Sequence, residues 1–195
     1  EAASAGLWPR ALRFARLIAR FPFVRMVAVS GSLAMNNVQD DGDIDYFVVM
    51  ESGRLWLGRQ LVLLMTRTCS LFGTRLCCNY FRTDDALVLY ERNLYVAHEL
   101  HQMVPLAGRG VYREILRSNG WTSRFLPNAS GRRSAAPMPE DIPRSILREA
   151  LERFLRMDLF EGLERWCLDN LRKKYERLGG FSSEEITSAL CEQWQ

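Results

Sequence analysis

The sequence predicts an α/β (α+β) fold, in which a small mixed β-sheet is flanked by helices and followed by a C-terminal helical appendage. Three observations carry this expectation. Residues 24–30 and 43–50 are two runs rich in Val, Met, Tyr and Phe, strand-sized and bounded by turn residues. Apolar residues recur at helical spacing on either side of them, over 8–20 and 54–72. From residue 144 onward, Arg and Glu alternate around an apolar stripe, the pattern of a long solvated helix or helix pair.

In chain order, residues 8–20 place Leu12, Phe14, Ala15, Leu17 and Ile18 on one helical face, with Pro9 suited to a first turn and Phe21-Pro22 as the stop. A first strand over 24–30 follows, then a short helix after Gly31, then a second strand over 43–50. Ser52-Gly53 marks a turn and 54–72 a long helix, broken at Gly73-Thr74. Residues 76–81 and 87–90 read as two further strands around a Thr83-Asp84-Asp85 turn.

Residues 93–103 read as a helix carrying His98-Glu99-Leu100-His101. The two His are three positions apart and the chain has no other, so this is not the zinc motif HExxH. Val104-Pro105-Leu106 leads into a helix over 110–118, stopped by Asn119-Gly120, and 121–127 reads as packed but irregular. Residues 128–143 shift to Ser, Ala, Gly, Pro and Arg, which marks a linker between a domain at 1–127 and a C-terminal helical region at 144–195. In that region Ile146, Leu147, Ala150, Leu151, Phe154 and Leu155 form an apolar stripe, expected to lie on its own domain or on a partner chain. Ser182-Ser183-Glu184-Glu185 reads as the cap of a last helix.

A chain of 195 residues with 48% hydrophobic content buries a real core, which excludes a wholly disordered protein. Its net charge of +3 suits nucleotide contact without arguing for it. Five cysteines, odd in number and without CxxC spacing, point to neither a disulfide framework nor a zinc site. A reducing, cytoplasmic setting is expected. The first residues lack signal-peptide features, and Glu1 in place of an initiating Met suggests an excised fragment. Arg59 and Arg67 interrupt the longest apolar stretch, so no membrane span is expected.

The most specific pattern is Val27-Ala28-Val29-Ser30-Gly31-Ser32, followed by Asp43-Ile44-Asp45-Tyr46-Phe47-Val48-Val49. Side chains alternate along a strand, so Asp43 and Asp45 point one way and Ile44 and Tyr46 the other. Two carboxylates this close repel each other, and a shared cation is the simplest way to keep both ionised. Gly31 lets backbone approach a phosphate, and Ser32 adds a hydroxyl. Either half alone would read as an ordinary turn, with Asp40, Asp41, Gly42 and Asp43 as its acidic members.

Together, in this order and spacing, Gly31-Ser32 and Asp43-x-Asp45 resemble the signature of the nucleotidyltransferase superfamily that includes DNA polymerase beta. A looser similarity, to uncharacterised bacterial nucleotidyltransferase-like proteins, lies in Gly53-Arg54-Leu55-Trp56, Asn79-Tyr80-Phe81 and Glu91-Arg92-Asn93-Leu94. The resemblance implies an enzyme that moves a nucleoside monophosphate from a nucleoside triphosphate, ATP among the candidates, to a hydroxyl-type acceptor, with release of pyrophosphate. Asp43 and Asp45 would be catalytic and hold Mg²⁺ (or Mn²⁺), and Gly31 and Ser32 would bind the nucleotide phosphates. The acceptor, whether small molecule, protein or RNA, is left open.

Two positions depart mildly from the pattern, Asn36 where many relatives have Gly and Gly42 where they have Ser. The third departure concerns chemistry. Catalytic members bring a third carboxylate from a later strand, and here the matching strand offers Asn79 as the third metal ligand, an amide that carries no charge and takes no proton at neutral pH. Three replacements are open: Asp84 or Asp85 folding back, Glu91 or Glu99 reaching in, or an acidic group on the acceptor. The competing reading is a catalytically silent nucleotide-binding or assembly module, with the C-terminal helices as its partner surface.

Overall fold

The structure, a computed structural model, describes residues 2–38, 43–70, 76–129, 146–157 and 160–179. Along the chain run α1 (Ala2–Ile18), β1 (Val24–Val29), α2 (Gly31–Ala34), β2 (Ile44–Met50), α3 (Leu55–Ser70), β3 (Leu76–Thr83), α4 (Leu94–Gln102), β4 (Val104–Ala107), α5 (Arg109–Ser118), a 3-10 turn (Gly120–Arg124), α6 (Ile146–Leu155) and α7 (Glu161–Gly179). The fold is mixed α+β, as the sequence predicts.

The four strands are ordered β3-β2-β1-β4. β1 pairs antiparallel with β2 and with β4, while β2 and β3 run parallel, so the sheet is mixed. Period-two alternation divides its side chains between two cores. Val27, Val29, Tyr46, Val48 and Met50 join Trp8, Ala11, Ala15 and Ile18 of α1 and Leu57 and Val62 of α3 on one face. Met26, Ala28, Phe47 and Val49 pack against Leu100 of α4 and Ile115 of α5 on the other.

Several elements differ from the sequence expectation for definite reasons. α1 begins at Ala2, so Pro9 lies inside it instead of in its first turn. The earlier turn is held because Trp8 is buried and donates through Nε1 to Asn36 Oδ1 at 3.2 Å, while Ser4 Oγ accepts from the Val38 amide at 3.5 Å. Residues 87–90 are not a strand. Side chains take the place of a pairing strand there: Leu89 N donates to Asn119 Oδ1 and Asn119 Nδ2 donates to Leu87 O, both at 2.7 Å. Arg82, almost wholly buried, donates to the carbonyls of Ala86 and Val88.

The strand absent from the expectation is β4, through Val104-Pro105-Leu106. As the sheet edge beside β1, it tolerates a proline without an N–H to give. The predicted helix at 182 onward, and all but the first two residues of the 128–143 linker, lie outside the described residues.

Two carboxylates, Glu152 buried and Glu164 half-buried, tie the C-terminal helices to the rest of the fold. Glu164 of α7 accepts the amides of Trp56 and Leu57 at 2.7 and 2.8 Å, supplying acceptors that the first turn of α3 lacks. Glu152 of α6 accepts the Phe23 amide at 2.8 Å and Arg148 Nε at 2.9 Å, and Arg148 also donates to the carbonyls of Ala19 and Val24. α6 therefore lies on the body through its polar side. Arg148 and Glu152 are 6% and 4% exposed, whereas Ile146 and Leu147 are 87% and 79% exposed.

Candidate functional site

The site lies where β1 ends and β2 begins. Ser30 N donates to Asp45 O at 3.0 Å, closing the antiparallel pair, and the chain turns sharply at Gly31 into α2. Gly31 has φ +62, and a Cβ there would stand 2.5 Å from Asp45 Oδ2. Two demands thus fall on one residue: a left-handed backbone and room for a carboxylate against it. Gly31 and Asp45, which the resemblance assigns to one site, are neighbours.

Asn36 has φ +53, and Asn is the residue that enters this region most readily after Gly. Ser32 is half-buried in the first turn of α2, with its carbonyl accepting Asn37 N at 2.9 Å. Asp43 stands exposed just ahead of β2, and Asp45 is half-buried within it. Burial raises the Asp45 pKa above its ordinary value, and the neighbouring Asp43 charge raises it further.

Asp84 and Asp85 do not fold back toward this pair. β3 is parallel to β2, so its end lies beside Met50, and five residues of strand separate that end from Asp45, about 16 Å. There Asp84 Oδ1 accepts Ser52 N at 2.9 Å and Asp85 Oδ2 accepts Ser52 Oγ at 2.6 Å, so these carboxylates serve a turn. Arg54 and Arg59 place their guanidinium carbons 5.6 and 5.7 Å from the ring centroids of Phe23 and Phe81 in the opposite core.

Glu99 of α4 comes in instead. It lies beside the Gly31 amide and Asp45; burial is the chief reason its pKa is raised, the Gly31 amide opposes this, and the Asp45 charge adds to it. Tyr80 and Tyr95 belong to the same neighbourhood. The Tyr80 hydroxyl is pushed up by burial and by Tyr95, Glu99, Glu91 and Asp45, and Tyr95 by Glu99, burial and Asp45.

Tyr80 reaches this face because β3 carries a bulge. Cys78 pairs with Tyr46 and Tyr80 with Phe47, leaving Asn79 as the extra residue between them. Strict alternation would have given Asp45's face to positions 77, 79 and 81. Instead Tyr80 stacks on Phe47, ring centroids 5.8 Å apart, and Phe81 enters the opposite core. The backbone of Asn79, the predicted third ligand, thus sits at the bulge; its side chain is outside the described residues.

The donor set of Asp43 and Asp45 suits a hard cation. Mg²⁺ is commonly held by one or two carboxylates with substrate phosphates and water completing its shell, so the pair fits such an ion by chemistry. Among the described residues, no group of three or more His, Cys, Asp or Glu gathers in a metal-holding arrangement. Burial, Cys77 and Asp45 push the Cys78 thiol up to about 12.

Among the described residues no helix is long and apolar enough to cross a membrane. No family model matches the chain, and neither does any curated protein or solved structure. The functional reading therefore rests on the residues themselves.

Glu99 was visible in the sequence only as one of several acidic candidates, and Tyr80 and Tyr95 carried no signal of their own. Their selection depends on the packing of α4 across the sheet and on the β3 bulge, neither of which is marked by a motif.

Proposed function

We propose that the protein is a Mg²⁺-dependent nucleotidyltransferase that transfers a nucleoside monophosphate from a nucleoside triphosphate to a hydroxyl-type acceptor. The observation that carries the reading is the contact of Gly31 with Asp45, with Asp43 beside it at the same strand start. It joins the two halves of the sequence motif, a phosphate-approach turn and a carboxylate pair, in one place.

In this mechanism Gly31 and Ser32 would position the terminal phosphates, and Asp43 and Asp45 would hold the metal. The bound ion would neutralise charge developing on the transferred phosphoryl group. The acceptor oxygen forms a bond to the α-phosphorus as the bond to the bridging oxygen breaks, and pyrophosphate leaves. Glu99, whose raised pKa suits it to accept a proton, takes the one lost by the acceptor hydroxyl.

The experiment is calorimetric binding of ATP, GTP, CTP and UTP, with Mg²⁺ and with chelator, to the wild type and to Asp43→Asn/Asp45→Asn. Magnesium-dependent binding by the wild type, lost in the variant, supports the site and names the donor. Absence of binding by all four nucleotides moves the conclusion to a catalytically silent module. That second reading is favoured by one observation: the two motif carboxylates have no third metal-holding partner among the described residues.

A further inference from the structure

α6 is an amphipathic helix seated the wrong way round for a free monomer. Its buried side is charged: Arg148 and Glu152 are 6% and 4% exposed and are held by the Phe23 amide and the Ala19 carbonyl. Its outer side is apolar, with Ile146, Leu147, Leu151, Phe154 and Met157 between 41% and 87% exposed. The polar side cannot be exchanged for the apolar one without stranding those buried ionic hydrogen bonds. The stripe is thereby fixed outward.

We propose that this stripe is a homodimer interface, in which α6 of one protomer lies antiparallel against α6 of its partner about a twofold axis near Leu151. Two properties favour a second copy over another occupant. The first is self-complementary charge. Glu149 and Arg153 are exposed one turn apart on the same border of the stripe, and a twofold near residue 151 brings each Glu149 opposite the other protomer's Arg153. The second is size: the five apolar side chains expose on the order of 600 Å² per protomer, most of the roughly 800 Å² that each partner gives to a stable interface. Exposed apolar patches of this extent are the usual mark of a protein contact.

Sedimentation equilibrium of the full chain from 1 to 100 µM, with circular dichroism and thermal melts as folding controls, tests the pairing. The wild type is expected to be dimeric. Leu147→Glu/Phe154→Glu should be a folded monomer, since both side chains face outward. Arg153→Glu, which sets like charges opposite each other twice, should weaken the dimer at least about tenfold, and Glu149→Arg/Arg153→Glu should restore it. A wild type that stays monomeric throughout overturns the proposal. So does a dimer indifferent to both Leu147→Glu/Phe154→Glu and Arg153→Glu, which would place the contact elsewhere. This inference stands apart from the nucleotide site, and its outcome leaves that reading untouched.

Discussion

Glu152 accepts a hydrogen bond from the backbone amide of Phe23, 2.8 Å away and 129 positions earlier in the chain. Phe23 has φ +67, a left-handed conformation unusual for an aromatic residue, and its ring lies beneath the Arg54 and Arg156 guanidinium groups at 5.6 and 5.9 Å. A late helix thus holds the entry to the first strand through one carboxylate, which also meets Arg148 and Arg25.

Glu152→Gln should therefore be strongly destabilising, by about 3–5 kcal/mol, because it removes the carboxylate charge beside the buried Arg148 guanidinium; Arg25 keeps Glu51 and Asp84. Urea unfolding at pH 7 measures this directly. The pH dependence has a definite sign. Burial alone would raise the carboxyl, but the Phe23 amide, Arg148 and Arg25 hold it below its ordinary 4.5. A lowered folded value means the stabilisation is complete above pH 4.5 and lost as pH falls through the folded value. The wild type should lose stability in acid more steeply than the variant.

Gly31→Ala tests the site at its narrowest point. The left-handed backbone costs about 1–2 kcal/mol with any side chain, and the new Cβ meets Asp45 Oδ2 at 2.5 Å. The expected result is a modest fall in melting temperature together with loss of magnesium-dependent nucleotide binding. Alanine at Gly110, where a Cβ meets nothing within 4 Å, is the control and should change neither.

Asn119→Ala probes why 87–90 is not a strand. The fully buried amide donates to Leu87 O and Ile115 O and accepts from Leu89 N, so its removal orphans several backbone groups. A loss of about 2–4 kcal/mol is expected, read by chemical denaturation. Hydrogen exchange of the Leu89 amide should accelerate out of proportion to the global change.

Glu99→Gln has the opposite sign to Glu152→Gln. Burial and the Asp45 charge raise the Glu99 pKa, so its ionised form is less favourable in the folded protein than in the unfolded chain. Stability from this group is present at low pH and lost as pH rises through the raised folded value. In the absence of metal and nucleotide, the variant should melt above the wild type at pH 7.5, with the gap closing toward pH 4.5. In turnover, the same variant should lower kcat about 10²-fold or more and remove the acidic limb of the pH profile if Glu99 receives the acceptor's proton.

Local pattern in the sequence suffices for the mixed α+β class and for the order of the helices and strands through β3. These depend on local facts: hydrophobic period, turn residues, and the special backbone freedom of glycine. It also carried the apolar stripe of α6, apart from Leu155, which packs against the core.

The tertiary structure decided what no local pattern encodes. The β3 bulge gave Asp45's face to Tyr80 because one extra residue reverses the alternation beyond it. Parallel pairing carried Asp84 and Asp85 to the far end of the sheet, while Glu99, from a separate helix, joins Asp43 near Asp45. β4 became a strand at Pro105 because it is an edge, and residues 87–90 failed to become one because Asn119 already met their hydrogen bonds. α6 turned its apolar side outward because Arg148 and Glu152 find buried partners more than a hundred residues away. Where a burial preference within one helix competes with ionic hydrogen bonds to distant backbone, only the assembled fold holds both terms.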